Sequence, residues 1–262
     1  ALPISDVIYA EPNLIREIVI HNDPYLDLQW SIENKGLWNG RPKPNMDMNV
    51  KPAWEIATGT GVKIAVLDDG VELNHPDLAA NMITGYDATG EGGGGVNAPG
   101  DLHGTSCAGI IAAAKNNIGI RGVAYDSKIM PIKIYSKNSW GGNTTTASIV
   151  ASAFTWAKNN GADIISNSWE APALNSPTLN NAINDCINNG RSGKGCVVLF
   201  STGNNFSNTI SYPSSLPNVI AVGASDPCDH RKTAISCDND TSWGSNYGEG
   251  MSFIAPGAQV YT

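Results

Sequence analysis

Three groups of residues in this chain have the types and settings that acyl-transfer chemistry needs. Asp68-Asp69-Gly70 closes the apolar run from Val62 to Leu67, so two carboxylates stand at the end of a buried strand. His103 opens the small-residue stretch Gly104-Thr105-Ser106-Cys107-Ala108-Gly109, and Gly203-Asn204 follows the apolar run from Val197 to Ser201. A carboxylate that orients an imidazole, with an amide donor for an oxyanion, makes up most of an acyl-transfer centre. A histidine in a first helical turn lies beside the positive end of the helix dipole and is expected to stay neutral, as a general base must. Singly, Asp-Asp-Gly and Gly-Asn read as turns and His103 as a surface or capping residue. Their joint occurrence at strand ends favours a site.

The elements that would position these groups alternate along the chain. Asp101 ahead of His103 and Lys115-Asn116-Asn117-Ile118-Gly119 behind it are helix start and stop signals. Strands are expected at 62–67, 128–134, 163–168, 197–201, 219–223 and 253–255. Helices are expected at 50–57, 144–160 and 177–188, the second burying Ile149, Ala153 and Trp156. Such alternation predicts an α/β fold, a doubly wound, mostly parallel sheet with helices on both faces. Ligands then sit beyond the carboxyl ends of the strands, where all three groups fall. Residues 1–50 are rich in Pro, Asn and Asp and predict an extended surface arm, and Gly90 to Gly95 a flexible loop.

Composition removes several function classes. A chain of 262 residues supports one large domain. A net charge of −8 argues against nucleic acid as a partner. No apolar run reaches the roughly 18 residues of a membrane span. Thr58-Gly59-Thr60-Gly61 precedes a strand instead of following one, which removes a dinucleotide phosphate loop. Cys186 with Cys196 and Cys228 with Cys237 form two close pairs that read as disulfides, with Cys107 a buried free thiol, against the alternative of five reduced cysteines. Two disulfides would place the protein in an oxidising compartment, secreted or periplasmic.

Specific motifs add a family likeness. Ile64 to Val71 with His75-Pro76-Asp77-Leu78, His103 to Gly109, and Ser201-Thr202-Gly203-Asn204 resemble the subtilisin-like serine proteases, the subtilases, from about residue 23 onward. Asp-Asp-Gly, Gly122-Val123-Ala124-Tyr125 and Ser168-Trp169 are most similar to the kexin/furin branch. Tyr212-Pro213 and Val219 to Ala224 are similar to bacterial subtilisins, and cyanobacterial calcium-dependent proteases combine both traits. The resemblance implies that Asp68 orients His103, the general base, and that Asn204 donates to the oxyanion. Ser168, Trp169 and Glu170 would line the substrate channel. Asp69 is read as a modulator of His103 or a loop-stabilising residue.

Calcium is the cofactor the resemblance implies. Asp23, Asp77 and Asn116 are its side-chain ligands, completed by backbone carbonyls near Ala113, Ile118 and Ile120; oxygen-only donors suit calcium. A second ion is expected in the acidic loop 226–240 on Asp229, Asp238 and Asp240. The acidic pattern that gives furin-like enzymes their basic preference is mostly missing, yet Glu170 remains, so a mild preference for Arg or Lys before the scissile bond is expected.

The family's nucleophilic serine lies beyond a segment like Ala255-Pro256-Gly257, and Ser106 shares a helix with His103 and lacks the trailing proline. The expectation is therefore a calcium-dependent serine endopeptidase acting on peptides or proteins. Its nucleophile would sit on a C-terminal fragment of the same precursor that stays bound to this chain. Residues 1–22 form an arm in which Val7 to Asn13 resembles a prodomain remnant, and 23–262 form the larger part of the catalytic domain. The alternative is a non-catalytic relative acting as a binding or regulatory module.

Overall fold

The computed structural model of the protein describes residues 23–36 and 43–262. Its centre is β1 (Lys63–Asp68), in which every residue after Lys63 is buried, as an apolar strand covered on both faces must be. β1 pairs in parallel with β3 (Lys128–Lys133) on one side and β6 (Ile164–Asn167) on the other. With β2 (Tyr86–Asp87), β7 (Val197–Ser201), β8 (Ile220–Ser225) and β9 (Phe253–Pro256) the sheet has the order β2-β3-β1-β6-β7-β8-β9, every pair parallel. The expected α/β sheet is the observed one, and its strands end on one edge.

Side-chain alternation along β1 feeds two cores. Ile64 and Val66 meet Ala108 and Ala112 of α2 (His103–Ala112) on one face. Ala65 and Leu67 meet α3 (Ala147–Asn159) and α4 (Pro177–Gly193) on the other. Small residues let α2 lie close to the sheet. An added Cβ at Gly104 would stand 2.2 Å from the Gly70 carbonyl oxygen, so only glycine fits the first turn after His103. On the second face Phe154 and Phe200 are buried with ring centroids 6.2 Å apart. Truncating either would cost about 3–5 kcal/mol. Thr146 caps α3 by accepting from Ile149 N, and Ser176 caps α4 by accepting from Leu179 N.

Four expectations are corrected. The described part of the arm does not lie extended on the surface: Leu26 and Ile32 pack with Val50 of α1 (Val50–Ala53), and Trp30 donates to the carbonyls of Ala258 and Gln259. The segment Val7 to Asn13 lies outside the described residues. The buried stripe of α3 is Val150, Ala153, Phe154 and Ala157; Ile149 and Trp156 sit at its margins, where Trp156 stacks on Tyr86 at 5.3 Å. Cys228–Cys237 is a disulfide, whereas Cys186 and Cys196 are free thiols that donate to different carbonyls, Phe154 O and Ala162 O. Cys107 is free but only half-buried. A short hairpin, β4 (Ser136–Lys137) and β5 (Asn143–Thr144), went unforeseen because its polar residues give no strand pattern.

Candidate active site

The carboxyl end of β1 places Asp68 against the first turn of α2. His103 Nδ1 lies 2.8 Å from Asp68 Oδ1, and Oδ1 also accepts from Asp69 N at 2.8 Å. Asp68 is buried while the His103 side chain is 58% exposed, so the ring has a protected side and an accessible one. Asp69 anchors the helix itself: its carboxylate accepts from Gly104 N at 2.8 Å and His103 N at 3.3 Å, satisfying two otherwise orphaned amides. This is the loop-stabilising role considered from the sequence. Burial pushes the Asp69 carboxyl above its ordinary value, against the opposing Gly104 hydrogen bond.

The expectation that the helix dipole keeps His103 neutral is overturned in direction. The Asp68 hydrogen bond first, and the Cys107 thiol 4.0 Å from Nδ1 second, hold the imidazole well above its ordinary 6.5, and burial only partly opposes them. A full carboxylate charge at hydrogen-bond distance outweighs the roughly half charge of a helix end. The pair therefore favours imidazolium, the form that must be stabilised once a base has taken a proton.

The opposite wall comes from the next strand ends. His103, Ser168, Gly203, Asn204, Trp243 and Ser245 line one cleft at the carboxyl edge of the sheet. Ser168 and Asn204 are thus brought to the cleft as expected, and Asn204 is exposed there. Trp169 is not. Its indole turns into the core, donating from Nε1 to Leu67 O at 2.9 Å and meeting Phe200 edge-on at 5.1 Å, because the residue after a strand alternates back beneath the sheet. Glu170 turns back toward Gly203: Oε1 accepts from Asn205 Nδ2 at 2.8 Å, and Oε2 is buried with no hydrogen-bond partner. An added Cβ at Gly203, where φ is +102°, would lie 2.3 Å from Oε2 and 2.6 Å from Ser211 Oγ. Glycine is therefore required ahead of Asn204.

Residues 59–262 match the model of the Subtilase family. The chain belongs to the subtilase family. It is 35% identical to thermitase of Thermoactinomyces vulgaris over 92% of this chain and 75% of that protein. It is 36% identical to a thermophilic serine proteinase of a Bacillus species, over 96% of this chain and 55% of that protein. A calcium-dependent protease of Trichormus variabilis is 34% identical over 82% of this chain, which spans 33% of that relative. Among solved structures, a protease from Pseudoalteromonas arctica superposes with a TM-score of 0.70 at 29% identity, covering 90% of this chain and 72% of its own.

In this subtilase the far end of α2 runs into the expected calcium loop. Asp77 is buried; Oδ2 accepts from Ile120 N at 2.9 Å, and Oδ1 is buried with no hydrogen-bond partner. Burial raises its pKa, with the Ile120 hydrogen bond and the nearby Asn116 side chain opposing. A buried carboxylate oxygen without a donor suits a cation, so Asp77 and Asn116 fit the group. Asp23 is engaged otherwise: it accepts from Asn116 N and Asn117 N at 2.9 Å and from Arg121 Nε at 2.6 Å. The Ala113 carbonyl accepts from Gly122 N, while Ile118 and Ile120 lie in the same loop as Asn116.

The second expected ion set does not converge. Asp229 lies 3.5 Å from Lys43, Asp240 accepts from Ser242, and Asp238 faces Lys232. Reading the sequence also missed the β8 and β9 side of the cleft: Gly223, Ala224, Trp243, Ser245 and Pro256. The strand-end rule that found Asp68 and Asn204 would have found Ala224 and Pro256. Trp243 and Ser245 follow a long loop and carry no such signal.

No helix among the described residues is long and apolar enough to cross a membrane.

Proposed function

We propose that this subtilase acts as a calcium-dependent serine endopeptidase, secreted or periplasmic, that hydrolyses peptide or protein substrates. The 2.8 Å contact between Asp68 and His103, at a cleft shared with Asn204, carries this reading. In this reading the family's serine nucleophile attacks the scissile carbonyl. Its hydroxyl proton passes to His103, and Asp68 stabilises the resulting imidazolium. The Asn204 amide donates to the oxyanion, a contribution of about 2.7–4 kcal/mol in such sites. His103 then returns the proton to the leaving amine. When bound, calcium would supply a fixed divalent charge to the loop of Asp77 and Asn116, with the carbonyls of Ala113, Ile118 and Ile120 as its remaining proposed ligands. It takes no part in bond breaking.

Glu170 supports a preference for Arg or Lys before the scissile bond, because its Oε2 is buried beside Gly203 without a donor. A substrate cation would fill that need. Paired peptides ending in Arg or Leu before the cut test this. Arg is expected to be favoured, and Glu170→Gln to lower the Arg-to-Leu ratio of kcat/KM about ten-fold. Strong selection of large apolar residues by the wild type would contradict it.

A further inference from the structure

Lys232 is fully buried, and its surroundings resemble an ion's coordination shell. Its ammonium lies 3.2 Å from both Asp238 oxygens, donates to the carbonyls of Thr233 and Asp240, and stands 5.1 Å from the Trp243 ring centroid. The same residue's backbone ties two cleft-lining residues together. Lys232 N donates to Ala224 O at 2.8 Å, and Ser245 N donates to Lys232 O at 2.9 Å. Ala224, Trp243 and Ser245 all line the cleft that holds His103 and Asn204.

We propose that Lys232 is a positioning residue whose ammonium serves as a built-in cation, holding the Trp243–Ser245 wall of the substrate cleft without a metal. The oxygen donors around it are of the class that calcium takes elsewhere: one carboxylate and two carbonyls. A covalently attached cation cannot dissociate, so this wall keeps its shape at any calcium concentration. Removing the ammonium would leave Asp238 buried and unpaired, which the loop relieves by shifting. The role rests on the peptidase reading, and it acts on substrate binding, since Lys232 touches neither His103 nor Asn204.

The test uses the full-length protein and Lys232→Ala, which leaves a space for a small amine. KM for a peptide substrate is expected to rise about ten-fold with kcat within two- to three-fold of the wild type. Ethylammonium is expected to restore KM where tetramethylammonium does not. An unchanged KM, or a raised KM that ethylammonium leaves as it is, would overturn the proposal. Wild-type turnover in the same series tests the peptidase reading separately. Hydrogen exchange needs no activity: the Ser245 amide is expected to exchange faster in the variant and to recover with ethylammonium, and unchanged exchange would count against the proposal. Should Lys232→Ala not fold, Asp238→Asn keeps the volume and removes the charge. A raised KM is expected there too, and a wild-type KM would overturn the assignment.

Discussion

The two walls of the cleft meet the same electrostatic demand in different ways. The α2 wall begins at Asp68 and His103 and ends in a loop where Asp77 Oδ1 is buried without a donor. The wall from residues 226 to 246 also buries an acid, Asp238, but answers it with its own Lys232. In the proposed reading one wall draws its cation from solution, whereas the other carries its own. The difference matters because burying an unpaired carboxylate costs several kcal/mol, so each wall is only as ordered as its counter-charge. In the proposed reading it also separates roles: proton transfer falls to His103 on α2, and the opposite wall shapes the space a substrate would enter.

The largest effect expected is on the α2 wall. Asp68→Asn should lower kcat about 10⁴-fold, as loss of the orienting carboxylate does in such triads. Asp238→Asn should leave kcat within a few-fold, and steady-state kinetics on both would show whether chemistry and shape are separable. Because Asp68 raises the His103 pKa, and activity needs the neutral ring, the acid limb of the wild-type pH profile should lie above 6.5 and move down in Asp68→Asn.

Chelation sharpens the contrast next. At a hundred-fold excess over Kd a bound ion contributes about 2.7 kcal/mol, so EGTA should lower Tm by about 5–10 °C. Hydrogen exchange should quicken at Asn116, Asn117 and Ile120 and stay unchanged at Asp226 and Ser245. Equal loosening of both loops would break the comparison.

The smallest effect tests the sign of the charge cost. Burial raises the Asp77 pKa, so the stability tied to this group is full below the unfolded carboxyl value and is lost as pH rises through the raised folded one. Above that raised value and without calcium, the ionised Asp77 is therefore unfavourable. Asp77→Asn should raise Tm in EGTA by about 2–4 °C, the scale of 1 kcal/mol, while abolishing the calcium-induced rise. Calorimetry with and without calcium reads both halves, and a Tm that falls in EGTA would reverse the sign.

The α2 wall was legible in the sequence because its signals are local. An apolar strand ending in Asp68-Asp69, a helix opening on His103 and a polar stop at Asn116 each lie within a few consecutive residues. The sheet followed from the same alternation. The other wall was misread because its pairing is chosen by three-dimensional packing: Asp229, Asp238 and Asp240 look like one acidic ligand set, yet Asp238 pairs with the buried Lys232, Asp229 with Lys43, and Asp240 accepts from Ser242. Trp169 fails similarly, since pleating decides whether a residue after a strand faces the cleft or the core. Cys186 and Cys196 are near in sequence, but their thiols serve separate carbonyls.

The central claim is that Asp68 and His103 activate a serine nucleophile. Labelling the full-length protein with a fluorophosphonate, beside its His103→Ala variant, tests this most directly. One labelled serine is expected in the wild type and almost none in the variant. No label in the wild type, or a label that survives loss of His103, would contradict it.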